Sequence, residues 1–242
     1  MDGNDFRAFE RDDPRIPMLL DVLRAQYLAP PTTVPPAVFR DVGRRIIEIL
    51  IPLIVYRFLP RGLGSAVIVL PWRAALLFGE VYRAAGTTFF WHIGAKRHEQ
   101  TLATELYHES EPPLATRTLR HIICDPMLAT GGTTCATIAR LLAGGVKPWD
   151  IAVQSIIAAP EGAFRVTMEH PGVRIFTCAL DERLDRNGYI VPGLGDFGDL
   201  AFADLDDQYV QKRWLDTGLL TRPQAELVLE RTQAIRGSAH AS

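Results

Sequence analysis

Asp125, followed at short range by Ala129-Thr130-Gly131-Gly132-Thr133-Thr134, is a carboxylate beside a loop of small and hydroxyl-bearing residues. The apolar run 119–124 before it predicts a buried strand, and the amphipathic run 134–142 after it predicts a helix. A strand, a Gly-rich loop and a helix N-terminus make a phosphate site: glycine lets the backbone approach closely, and unpaired helix amides point at the anion. Thr130, Thr133 and Thr134 add hydroxyl donors. Asp125, at the strand end, is placed to accept hydrogen bonds from sugar hydroxyls beside that phosphate.

A second segment, Asp181-Glu182-Arg183-Leu184 with Asn187-Gly188-Tyr189-Ile190-Val191-Pro192-Gly193-Leu194-Gly195-Asp196-Phe197-Gly198-Asp199, suits a planar heterocycle. A Pro/Gly-rich extended loop exposes backbone groups that can pair with an O=C–N–H edge, and a pocket built on such bonds rejects analogues that leave its groups unpaired. Gly193, Gly195 and Gly198 also satisfy Gly-x-Gly-x-x-Gly. Pro192 precedes them, no amphipathic helix clearly follows and no βαβ unit starts there, so a dinucleotide site is not expected. Arg73 and Arg97 each follow an apolar run, where a guanidinium can clamp phosphate through two parallel donors. The six histidines form no metal-ligand spacing with cysteine or carboxylates, and there is neither a Gly-x-Ser-x-Gly elbow nor a P-loop lysine.

The elements that must position these groups alternate. Strands are predicted at 66–70, 87–93, 119–124, 151–158 and 173–179, with helices at 74–85, 134–142 and 161–169. The strands are near-continuous apolar runs, as in a parallel sheet covered on both faces, so the fold class is α/β with a mostly parallel sheet flanked by helices. Ligands in such sheets bind beyond the carboxyl ends of strands, where Asp125 falls. Helices are predicted at 16–27 and from 37 to 50 or a little beyond, separated by the proline-rich 30–36. Residues 1–15 read as charged and loose. Helices are expected at 206–216, closed by Gly218, and from the capping box Thr221-x-x-Gln224 to near Gly237. The division expected is an N-terminal helical segment 1–60, a core 61–205 and a C-terminal helical extension 206–242.

Apolar residues make up 48% of the chain, enough for one large core, and the net charge of −2 gives no basic surface for nucleic acid. Three cysteines, Cys124, Cys135 and Cys178, an odd count without paired spacing, suit a reducing cytoplasm. The most apolar window, 46–59, holds Glu48, Pro52 and Arg57, too short and interrupted for a membrane span.

Asp125 to Thr133 resembles the phosphoribosyl-diphosphate (PRPP) loop of the uracil phosphoribosyltransferases, a branch of the type I phosphoribosyltransferases, and Asp181 to Leu184 with Asn187 to Asp199 resembles their uracil-binding loop. Weaker likenesses lie at Val69 to Leu77 and Trp91 to Leu102. The resemblance implies a type I phosphoribosyltransferase fold and transfer of phosphoribose from PRPP to a uracil-like acceptor. It implies that residues 129–134 hold the 5′-phosphate, that Asp125 holds the ribose and that Arg73 and Arg97 take the diphosphate. The main chain of Ile190 and Gly195 would read the base, Tyr189 would line its site, and Asp196 would face ribose, diphosphate and Mg²⁺, through water or directly. Dimers or higher homo-oligomers and small-molecule substrates are implied with it.

The chain also departs from the family. Ala75 and Leu77 stand where two glycines give diphosphate clearance, Leu200 replaces a basic residue, and the stretch between Tyr56 and Val67 is too short for the family's β-arm. These departures predict acceptor selectivity shifted away from uracil. They leave open the same chemistry on a non-uracil acceptor in a specialised biosynthetic pathway, or a non-catalytic nucleotide-sensing regulator.

Overall fold

The computed structural model describes residues 6–28, 36–97, 104–110, 119–202, 215, 218, 220–227 and 230, without the side chains of 26–28, 96, 97 and 104. It divides into two compact units, 1–201 and 202–242.

The first unit is built on one sheet. Its strands are β1 (Phe6–Ala8), β2 (Ala66–Trp72), β3 (Phe89–Arg97), β4 (Thr104–Glu109), β5 (Arg120–Cys124), β6 (Met127–Leu128), β7 (Ile151–Ala158) and β8 (Arg174–Leu180), in the order β1-β8-β7-β5-β2-β3-β4 with the short β6 also on β7. Every pairing is parallel except β3 with β4. Every residue of β2 and of β7 is buried, which is why β2 reads as an unbroken apolar run and β7 as one interrupted only by Gln154 and Ser155.

Helices α1 (Arg15–Leu28), α2 (Pro36–Phe58) and α3 (Leu76–Ala84) pack together, with α2 and α3 against the sheet; α4 (Gly132–Ala143) and α5 (Pro160–Glu169) pack with each other, and α4 also meets β3 and β4. A small antiparallel hairpin, β9 (Arg183–Leu184) with β10 (Ile190–Val191), and the six-residue α6 (Phe197–Phe202) follow β8. No helix among the described residues is long and apolar enough to cross a membrane.

Several elements differ from expectation: the antiparallel edge strand β4 and the short β6, β9 and β10 are not among the expected strands at all. Residues 6–8, read as loose, form edge strand β1 on β8, because the next residue, Phe9, is fully buried and stacks on Phe176 with ring centroids 5.9 Å apart. Helix α2 continues past Leu50 through Pro52 to Phe58, since Ile46, Ile47, Leu50, Ile54 and Phe58 bury one long stripe that outweighs a single proline. A short helix, α6, does follow the Gly-rich loop, although no βαβ unit begins there. No strand lies between α2 and β2, in keeping with the missing arm.

The end of α2 is capped from the sheet. Arg120 donates to the carbonyl of Phe58 and Arg174 to that of Arg57 at 3.1 Å, while both guanidiniums lie over the Phe58 ring. Last-turn carbonyls lack intrahelical partners, so these bonds replace lost ones. Arg120→Met should cost about 1–3 kcal/mol and lower Tm by several degrees. A thermal scan with Tm unchanged would show that the cap contributes nothing.

In the second unit Thr221 makes the Gln224 half of the expected capping box: its amide donates to Gln224 Oε1 at 2.7 Å and its hydroxyl to the same atom at 2.9 Å. Gly218 has φ 63°, and its amide donates to Leu215 O at 2.9 Å. Most of the helix expected at 206–216, and the continuation toward Gly237, lie outside the described residues.

Candidate active site

The loops that carry the expected residues leave the carboxyl ends of β2, β3, β5 and β8, with β8, β7, β5, β2 and β3 successive neighbours in the sheet. Parallel strands with helical crossovers open all these loops along one edge.

After β5 the chain runs through Asp125 and β6 into Gly131, which adopts φ 73° and opens α4. That left-handed conformation favours glycine. A Cβ there would also lie 3.2 Å from the carbonyl oxygen of Gly162. A Cβ on Gly162, in the first turn of α5, would overlap the carbonyl oxygen of Ala129. Arg165, one turn on, reaches Thr130 O at 3.4 Å. The loop is thus clamped between two helices, and Gly162 and Arg165 belong to its support. Sequence reading missed both, and the only local sign was a glycine in the first turn of a predicted helix.

Asp125 is fixed from three sides. Its amide donates to Gln154 O at 2.9 Å, Met127 N–H reaches Oδ1 at 3.3 Å and the Thr134 hydroxyl donates to Oδ2 at 3.1 Å. Thr134 is fully buried, so its hydroxyl serves Asp125 rather than an incoming anion. Burial pushes the Asp125 carboxyl up to about 6, against the lowering effect of its two hydrogen bonds. Beneath it, Tyr82 donates to Gln154 Oε1 at 2.5 Å, and burial pushes both this phenol and the Cys124 thiol upward, so neither supplies a proton acceptor at neutral pH.

The β2–α3 loop carries Arg73. Its guanidinium is ion-paired with Asp199, and a Cβ on Gly198 would sit 3.3 Å from both Arg73 Nη2 and Asp196 Oδ1. Arg73, Asp196 and Asp199 therefore converge. The Asp196 carboxyl accepts the Asp199 amide at 2.9 Å at the start of α6. Desolvation, and then the Asp199 charge, push it upward.

The two glycine replacements are absorbed by packing. Ala75 sits in right-handed helical geometry that needs no glycine. Leu77 faces α2, its Cδ2 3.1 Å from where a Gly43 Cβ would be. Trp72, before Arg73, donates to His92 Nδ1 at 3.0 Å and stacks on His108 with centroids 4.9 Å apart. Arg97 closes β3, its backbone paired with Thr104; its side chain, like residues 98–102 of that likeness, lies outside the described residues.

The acceptor segment is held mainly by its own carboxylates. Asp185 accepts the amides of Asn187 and Tyr189 at 2.8 and 2.9 Å, closing the β9–β10 turn. Gly193 and Gly195 have φ 69° and 68°, and a Cβ on Gly193 would overlap Ile190 O. Ile190 is buried and Tyr189 is half exposed.

Cys135, Glu169 and His170 place three ligand-type atoms within 4.8 Å of one another, a grouping that sequence spacing did not suggest. It lies between α4 and α5, and its carboxylate is already paired with Arg165 at 2.8 Å.

A family model for uracil phosphoribosyltransferase matches residues 77–203, which include both loops. The uracil phosphoribosyltransferase of Myxococcus xanthus is 44% identical over 112 residues, 46% of this chain and 51% of that protein, so the chain spans about half the length of that relative. The AQ2163 protein of Aquifex aeolicus has a similar structure, with TM-score 0.67 and 28% identity over 82% of this chain and 98% of that one. The adenine phosphoribosyltransferase of Leishmania tarentolae shares the fold at TM-score 0.50 and 17% identity, over 78% and 97% of the two chains. With just over half of its length matched, including the clamped loop at Asp125 and the glycine loop before Asp196, the chain belongs to the uracil phosphoribosyltransferase family.

Proposed function

We propose that the protein transfers the 5-phosphoribosyl group of PRPP to a ring nitrogen of a uracil-like acceptor. The observation that carries this reading is an Asp125–Gly131 loop suited to a sugar phosphate after β5 and, on the same edge of the sheet, the convergence of Arg73 after the neighbouring β2 with Asp196 and Asp199. The bond from ribose C1 to diphosphate breaks, the acceptor nitrogen bonds to C1, and the nitrogen's proton leaves to solvent or to diphosphate. Positive charge develops at C1 in between, so catalysis is positioning and charge stabilisation.

Residues 129–134 would hold the 5′-phosphate through backbone amides and the Thr130 and Thr133 hydroxyls. Asp125 would accept from the ribose hydroxyls. Arg73 would exchange Asp199 for the leaving diphosphate, with Arg97 beside it. Tyr189, Ile190 and Gly195 would frame the acceptor. The carboxylates of Asp196 and Asp199 are hard oxygen donors that suit Mg²⁺, which would neutralise the diphosphate. The three buried free thiols suit a cytoplasmic setting. A homodimer or higher homo-oligomer belongs to the same reading and rests on the family alone.

A diphosphate-release assay with PRPP, Mg²⁺ and a panel of nucleobases tests it. Acceptor-dependent release is expected, with kcat/KM for the preferred lactam-edged base of ~10⁴ M⁻¹s⁻¹ or more. PRPP binding without release for any acceptor would instead make the chain a nucleotide-sensing protein on this fold.

A further inference from the structure

We infer that the N-terminal helices set the geometry of the acceptor loop, with Arg24 as a positioning residue acting through Asp181 on the Gly193 amide. This rests on the proposed activity for its catalytic consequence, but not for its structural one.

Arg24 lies on α1, whose Ile16, Leu20 and Leu23 are fully buried, so the helix is a fixed platform. Its Nη2 donates to Asp181 Oδ1 at 2.5 Å, across 157 residues of chain. The Asp181 side chain is only 2% exposed. Its other oxygen, Oδ2, accepts the amide of Gly193 at 2.9 Å, and its own amide donates to Ala158 O at 2.8 Å on β7. One carboxylate therefore joins a helix, the sheet and the acceptor loop. Gly193 follows the turn that presents Ile190 and precedes Gly195, the two residues whose main chain would read the base. A buried carboxylate is costly without a partner, and charge-assisted bonds hold both partners more firmly than neutral ones. Arg24 thus fixes one oxygen of the carboxylate whose other oxygen pins Gly193.

Helix α2 holds the far end of the same loop. Gly43 leaves a notch that receives Phe197, which packs on Phe39 with ring centroids 5.0 Å apart, and Arg40 donates to Ala201 O at 2.6 Å. Phe197 directly follows Asp196, so α1 and α2 together fix the segment from both sides. No Arg24 atom is bonded to the phosphate loop or to Arg73, so removing it should disturb the acceptor and spare PRPP.

Arg24→Gln and Arg24→Lys in the full chain test this with two readouts. Hydrogen exchange should speed up at least about tenfold in peptides covering 190–194 of Arg24→Gln and stay unchanged across β5 and α4. The acceptor KM should rise about tenfold, with the PRPP dissociation constant within about twofold of wild type. Arg24→Lys, which keeps the charge, should fall between. Wild-type loop exchange in Arg24→Gln, or an unchanged acceptor KM with a loosened loop, overturns the assignment. So does an Arg24→Gln that fails to fold while Arg24→Lys shows wild-type loop exchange, since Arg24 would then only pack. If the wild type turns over no acceptor, the proposed activity fails, and loop exchange alone still decides whether Arg24 positions the loop.

Discussion

Asp125→Asn is expected to lose most turnover and gain stability at neutral pH. An asparagine can keep its oxygen for the Met127 amide and donate its NH2 to the Thr134 hydroxyl, which rotates to accept, but it has no charge to offer the ribose hydroxyls. Each charge-assisted bond lost is worth roughly 1.5–3 kcal/mol, so kcat/KM for PRPP should fall about tenfold to more than a hundredfold. The stability effect has the opposite sign. The folded-state carboxyl titrates at about 6, above the value near 3.9 of an unfolded chain. Between those values the native state binds more protons than the unfolded state, so stability falls as pH rises through that window, and the cost is complete above it. Asparagine cannot ionise and escapes that cost. A gain of about 1–3 kcal/mol, or several degrees in Tm, is expected at pH 7–8 and should vanish toward pH 4. In the wild type, kcat/KM for PRPP should decline below about pH 6 as Asp125 takes up its proton. Thermal scans of both proteins from pH 4 to 8, with steady-state kinetics, check all three. A variant with wild-type kcat/KM would mean that Asp125 does not touch the sugar.

Gly131→Val is expected to abolish PRPP binding while leaving most of the fold intact. Valine resists φ 73° and is stiff at its side chain. Its Cβ would also press on the Gly162 carbonyl, 3.2 Å away. The loop must therefore leave the geometry in which its amides converge. Calorimetry should show affinity for PRPP and for ribose 5-phosphate reduced at least about a hundredfold, with far-UV circular dichroism near wild type. Unchanged affinity would place the 5′-phosphate elsewhere.

What could be read from the chain alone was what short stretches of sequence encode. The strand–loop–helix at Asp125, the buried runs of β2 and β7, the Thr221 cap and the missing arm each depend on neighbouring residues. What stayed hidden depends on distant ones. The approach of Gly162 to Ala129 exists only once α5 lies across the phosphate loop. Leu77 stands where the resemblance expects a glycine, and nothing local shows that it packs toward Gly43 on α2. Thr134 read as an anion ligand because nothing local shows that it turns back to Asp125. Strand β1 is three residues among charges, and only the burial of Phe9 against Phe176 reveals it. Arg24 carried no motif at all, since its meaning lies in a carboxylate far along the chain.

The most direct test is the identity of the product. Protein incubated with Mg²⁺, PRPP labelled in the ribose and a panel of lactam-edged bases that includes uracil should yield, by mass spectrometry and for at least one base, a nucleotide in which the labelled phosphoribosyl group is joined to the base, with one diphosphate released per nucleotide. Labelled ribose 5-phosphate as the sole product, or intact PRPP, with uracil and with every other lactam-edged base offered would contradict the account.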